Sequence, residues 1–160
     1  MEESGDKEKF MAEAIRLSFE TMRSNEGGPF GCVIVKDGEI IARGTNKVSS
    51  SNDPTAHAEV VAIREACKAL NTFQLTGCEI YSSCEPCPMC LSAIYWARPD
   101  KVYYANTKED AARIGFDDAY IYDEINSPAE KRKIPVVQLL HDEAREAFNE
   151  WEFKTDKVKY

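Results

Sequence analysis

The sequence predicts an α/β fold built on a sheet with at least one parallel strand pair, and three observations carry that reading. Strand-like and helix-like stretches alternate from Cys78 onward, as in a β-α-β unit. Before them, "FGCVIVKDGEIIARGTN" reads as a hairpin, with Asp37-Gly38 as the tight turn between two apolar runs. An amphipathic helix opens the chain, with Phe10, Ala14, Leu17 and Met22 near helical spacing between Asp6 and Arg23. At 160 residues, 43% hydrophobic and 30% charged, the chain suits one compact domain with its own core.

The elements follow in order. "NEGGPFG" ends the opening helix, since Gly27, Gly28 and Pro29 interrupt any periodic pattern. After the hairpin, "SSSNDPT" is a loop whose Asp53-Pro54-Thr55 offers cap and first-turn residues for a helix running to about Leu70. "CEIYSS" is a short strand, and "CPMCLSAIYWA" a helix that stops before Pro99. "KVYYAN" is the next strand, followed by a helical stretch at "KEDAARIG". Further on, "FDDAYIYDEINSPAEKRK" is mixed, "IPVVQLL" reads as a short strand, and "DEAREAFNEWEFKTDK" as a closing helix with a solvated acidic face. No linker or repeat separates this tail, so residues 1–160 are read as a single domain.

Charge and composition narrow the function classes. A formal net charge of −8 disfavours the phosphate backbone of nucleic acids, where a basic face supplies most of the affinity. "MEESGDKEKF" is charged and lacks the apolar run of a secretory signal, and no stretch reaches the ~18 apolar residues of a membrane span. The expected address is the cytoplasm. In that reducing setting six cysteines read as metal ligands, a nucleophile or core residues rather than disulfides.

Within "CEPCPMC", Cys87 and Cys90 stand one helical turn apart, and Pro86 ahead of them fits a helix start, where amides and the helix dipole favour thiolates. The pair fits a redox dithiol, a zinc pair or two core cysteines. A redox dithiol needs a thioredoxin-like strand-helix setting near the start of the domain, which is absent. Zinc needs three or four ligands, and a catalytic zinc keeps one position for water. Cys84 ends a strand and packs more naturally than it ligates, while Cys32, Cys67 and Cys78 read as small buried hydrophobes. Of the two histidines, His141 lies far downstream, and His57 opens a helix as Cys87 does.

A lone His at that position is ordinarily a cap, and a lone Glu a solvated charge. Together with the cysteines, His57 completes a three-ligand site, and Glu59 stands within reach of a water at the fourth position. Zinc lowers that water's pKa towards about 7. Glu59 is then the proton shuttle between the water, a ring nitrogen and a departing amine. His57-Ala58-Glu59 with Pro86-Cys87-Pro88-Met89-Cys90 is the H-x-E…P-C-x-x-C pattern of zinc nucleobase deaminases.

On those motifs the chain resembles the cytidine deaminase superfamily over nearly its whole length. Within it, "GGPFGCVIVKDG", "NDPTAHAEVVAIREACK", "YSSCEPCPMCLSAIYWAR" and "GFDD" are similar to bacterial guanine deaminases. The resemblance implies a three-layer α/β/α sandwich around a mixed sheet of about five strands. It implies hydrolysis of guanine at C2 to xanthine and ammonia, in purine catabolism or salvage, with Zn2+ as cofactor and Glu59 moving protons to N3 and to the leaving amine. It further implies that Asn46 hydrogen-bonds the ring, Phe30 packs on the base, and Ala58 and the segment Ser83-Cys84-Glu85 line the pocket. Asp117 matches an acid that holds the purine. Residues 119–160 match a lid exchanged between the subunits of a homodimer, with Tyr160 reaching the partner's site and Glu143 and Glu150 as weaker candidate contacts.

Two rivals stand beside this reading. One is another deaminase specificity: guanosine, cytosine, ammeline or tRNA adenosine. The other is a zinc-stabilised binding domain without catalysis, against which Glu59 argues, because structural zinc needs no carboxylate at a water position.

Overall fold

The structure, a computed structural model, describes residues 2–116 and 118–160, with side chains from residue 6 onward. It divides into two compact units, Met1–Asp118 and Ala119–Tyr160. The first unit contains α1 (Glu2–Arg23), β1 (Gly31–Lys36), β2 (Glu39–Thr45), α2 (Val48–Ser51), α3 (Ala58–Leu70), β3 (Cys78–Cys84), α4 (Pro88–Ala97), β4 (Lys101–Asn106) and α5 (Lys108–Arg113).

The sheet runs β2-β1-β3-β4, with β1 antiparallel to both β2 and β3, and β3 parallel to β4. The β1–β2 hairpin closes through Asp37 and Gly38, both at positive φ (51° and 78°), as a two-residue turn between twisted strands requires. The parallel pair is the β3-α4-β4 crossover expected from the alternation after Cys78.

Alternation along β1 builds the layers. Val33 and Val35 meet Ala14, Leu17 and Tyr81 under α1, while Cys32 and Ile34 meet Ala58, Ala62 and Ala66 of α3 and Ile94 and Ala97 of α4. The strand is covered on both faces, which is why "CVIV" reads as a continuous apolar run. The result is an α/β/α sandwich around a mixed sheet. Gly44 lets α3 lie directly on β2, because a Cβ there would fall on the Ala58 carbonyl oxygen and crowd Ala62. That close approach brings the start of α3 down to the sheet.

Three expectations are corrected. The sheet has four strands among the described residues, against about five expected. "IPVVQLL" is irregular chain, with Ile134, Val136, Val137, Leu139 and Leu140 exposed. β-branched residues favour a strand only where another strand's backbone pairs with them, and among the described residues none does here. The loop before α3 also differs. Asp53 accepts hydrogen bonds from the Thr55 amide (2.8 Å) and hydroxyl (2.6 Å), tying its own turn instead of capping α3. α3 therefore begins at Ala58, and α2 occupies part of the expected loop.

The second unit holds α6 (Ala119–Asn126), a 3-10 turn at Ala129–Lys131 and α7 (His141–Phe153). Arg132 Nε donates to the Glu124 carbonyl at 3.0 Å, and the Lys133 amide to Glu124 Oε2 at 2.7 Å, closing the turn after α6. None of this unit's described side chains is buried.

Candidate active site and metal centre

Two helix N-termini build the centre. His57 is the N-cap of α3 in extended conformation (φ −69°, ψ 155°), and its carbonyl accepts the Val61 amide at 2.9 Å. Its imidazole makes no capping hydrogen bond, so the ordinary role of a polar residue here is set aside. Cys87 is the N-cap of α4, with Pro88 at the first helical position and the Cys90 amide donating to Cys87 Sγ at 3.5 Å. One helical turn then carries Cys90 to the same point.

The three donors converge. Cys87 Sγ and Cys90 Sγ each lie 3.5 Å from His57 Nδ1, and all three ligand atoms lie within 4.8 Å of one another. Zn–S bonds of about 2.3 Å and Zn–N bonds of about 2.0–2.1 Å at tetrahedral angles subtend roughly 3.5 Å, so the spacing fits zinc. The electrostatics agree. The Cys90 hydrogen bond and the neighbouring imidazole hold the Cys87 thiol well below its usual range, while Cys90 is pushed up beside it. The contact with Cys87 raises His57. Protons crowded among three facing donors are what a divalent cation displaces.

Glu59 is 6% exposed on the first turn of α3, and burial raises its pKa, opposed by hydrogen bonds from its own backbone and from Ser82. Ser82 Oγ donates to Glu59 Oε1 at 2.8 Å. A buried carboxylate beside a metal triad has the placement and the raised pKa of a proton-transfer group.

The other expected residues divide. Asn46 is buried just after β2, and its Oδ1 accepts the amides of Val48 (3.2 Å) and Gly28 (3.4 Å). Two donors on the oxygen fix the amide's orientation and leave Nδ2 as the group offered to a ligand acceptor. Thr21 Oγ1 donates to the Asn46 carbonyl at 2.9 Å, and Gly27 admits that carbonyl where a Cβ would fall on it. Phe30 packs edge-to-face on Phe116, ring centres 4.9 Å apart at 89°. Ala58 is fully buried beside Glu59.

In the segment expected to line the pocket, Ser83 accepts the Gly31 amide at 3.0 Å and Glu85 accepts the Lys108 amide at 3.0 Å. Cys84 is buried and lies outside the ligand triad. Tyr160, Glu143 and Glu150 belong to the second unit and are exposed. Asp117 lies outside the described residues. A mainly apolar cleft of about 530 Å3 between α1, α5 and the ends of β3 and β4 includes Phe30, Ser83 and Cys84 but neither Glu59 nor any ligand.

Three residues near the chemistry were missed in the sequence: Ser82, Phe116 and Asp118, whose negative charge contributes to the raised pKa of His57. Ser82 had a signal, since it is polar in the row Cys78, Ile80, Ser82, Cys84 on a strand with alternating faces.

Comparison with known proteins gives the chain a family. The cytidine and deoxycytidylate deaminase zinc-binding region matches residues 4–106. A guanine deaminase of Bacillus subtilis (strain 168) is 56% identical over 153 residues, 96% of this chain and 98% of that protein. The X-ray structure of guanine deaminase from Bacillus subtilis is similar with a TM-score of 0.93, covering 96% of this chain and 98% of that one. A tRNA-specific adenosine deaminase of Aquifex aeolicus (strain VF5) is 48% identical over 101 residues, 62% of this chain and 65% of that protein.

Proposed function

The chain belongs to the cytidine and deoxycytidylate deaminase family, and from that premise we propose that it hydrolyses guanine to xanthine and ammonia. The observation that carries the substrate is coverage. Likeness to the Bacillus guanine deaminase extends over 96% of the chain, whereas likeness to the tRNA-specific adenosine deaminase takes in 62%. The net charge of −8 also suits a free base better than a polyanion.

His57, Cys87 and Cys90 would hold Zn2+, which when bound would acidify water to near-neutral pKa and so supply a nucleophile for C2. Glu59 is the group that carries protons, first to N3 and then to the departing amine. Water is thereby consumed, the C2–N bond breaks, and ammonia leaves. The amide nitrogen of Asn46 donates to a ring acceptor, Phe30 packs on the base, and Ala58 lines the pocket beside Glu59. Asp117 and Tyr160 complete purine recognition.

Residues 119–160 act as a lid exchanged between two subunits of a homodimer. The support is that this segment leaves Ile134, Val137, Leu139 and Phe148 exposed within a single chain. The six cysteines are all free, in keeping with a reducing cytoplasm, and no helix among the described residues is long and apolar enough to cross a membrane.

The test is ammonia release from guanine, guanosine, cytosine, adenine and ammeline with zinc quantified. Xanthine from guanine alone is expected. Release from guanosine or cytosine in preference to guanine overturns the substrate, and zinc without any deamination overturns the enzyme.

A further inference from the structure

The β3 side chains facing α3 and α4 run Cys78, Ile80, Ser82 and Cys84, and all four are buried. Cys78 and Ile80 belong to the apolar cluster beneath those helices, so packing alone asks for a small apolar residue at the next position. The chain places a hydroxyl there, 1% exposed, and it donates to Glu59 Oε1 at 2.8 Å. Ser82 pairs across the sheet with Cys32 on β1 and with Tyr104 on β4, so strands hold its backbone on both sides. Glu59, by contrast, projects from the first turn of α3 on a side chain with three rotatable bonds.

We propose that Ser82 is a positioning residue for the reaction, its hydroxyl holding the Glu59 carboxylate in one rotamer beside the His57, Cys87 and Cys90 cluster. The inference rests on the deaminase reading of that cluster. A proton shuttle must move between a water, a ring nitrogen and an amine without losing its place, and misplacement by about an ångström is costly to rate. The central strand supplies a fixed donor, and the donor takes one carboxylate oxygen.

Zinc-loaded Ser82→Ala and Ser82→Thr, compared with the unmodified chain, test this by zinc stoichiometry, guanine kinetics and crystal structure. In Ser82→Ala the expected result is full zinc, unchanged KM, a kcat lower by roughly tenfold, and Glu59 in more than one rotamer. Ser82→Thr keeps the hydroxyl and restores most of kcat. An unchanged kcat in Ser82→Ala overturns the proposal, as does a Glu59 that keeps its single rotamer. Equal losses in both variants, accompanied by lost zinc or a raised KM, also overturn it by showing a packing role. If the unmodified chain releases no ammonia from guanine, the substrate reading fails on its own, and the Glu59 rotamer in zinc-loaded Ser82→Ala still decides the role of Ser82.

Discussion

The two units of the chain treat their apolar side chains in opposite ways. In the first, Ile34, Ile80 and Tyr81 are sealed between helices and sheet, and the metal triad with Glu59 stands at the edge of that core. In the second, Ile134, Val137, Leu139 and Phe148 are between 78% and 82% exposed. Burial of a large aliphatic side chain stabilises by about 1.5–3 kcal/mol, and only the first unit collects that within a single chain. The difference teaches where precision comes from. The candidate metal ligands and Glu59 are borne by elements with a core of their own, while the second unit leaves large apolar side chains exposed.

Glu59→Gln is the sharpest probe of the first unit. It should keep zinc and fold while lowering kcat by roughly 10²–10⁴-fold, the range for lost proton transfer. Retained deamination with zinc bound would break the assignment of Glu59. Ile80→Ala should cost about 2–5 kcal/mol in urea unfolding through transfer and cavity terms. Deleting Tyr160 should leave that stability unchanged and lower kcat/KM for guanine by roughly tenfold, the loss of one substrate hydrogen bond. Unchanged kinetics would remove the chain end from the site and widen the contrast between the units.

Smaller effects test the edge of the contrast. Arg16, with Arg43, holds the Glu13 carboxyl down to about 2 from 4.5. A depressed pKa gives stability that is present above 4.5 and lost as pH falls towards 2. Both arginines are more than half exposed, so solvent screening keeps the contribution below about 1 kcal/mol. Glu13→Gln should therefore unfold at slightly lower urea than the unmodified chain at pH 7, with the gap closing as pH approaches 3. Val137→Ala should shift single-chain stability by less than about 0.5 kcal/mol, in contrast to Ile80→Ala. A shift of several kcal/mol, dependent on protein concentration, would show that Val137 is buried by a second subunit.

The convergence of His57, Cys87 and Cys90, the place of Glu59 at the start of α3, the hairpin turn and the crossover were legible because each is encoded in short local stretches. Cys87 and Cys90 need one helical turn to converge, His57 and Glu59 share one helix start, and Asp37-Gly38 specifies its own backbone. Tertiary structure alone decided that Ser82 meets Glu59, that the Asn46 oxygen is taken by Gly28 and Val48, and that the chain from Ile134 pairs with no strand among the described residues. The first joins residues 23 apart across a core, and the last depends on a backbone edge that local propensity does not supply. Local spacing specifies which atoms can converge; the packing of distant segments specifies which of them are held still.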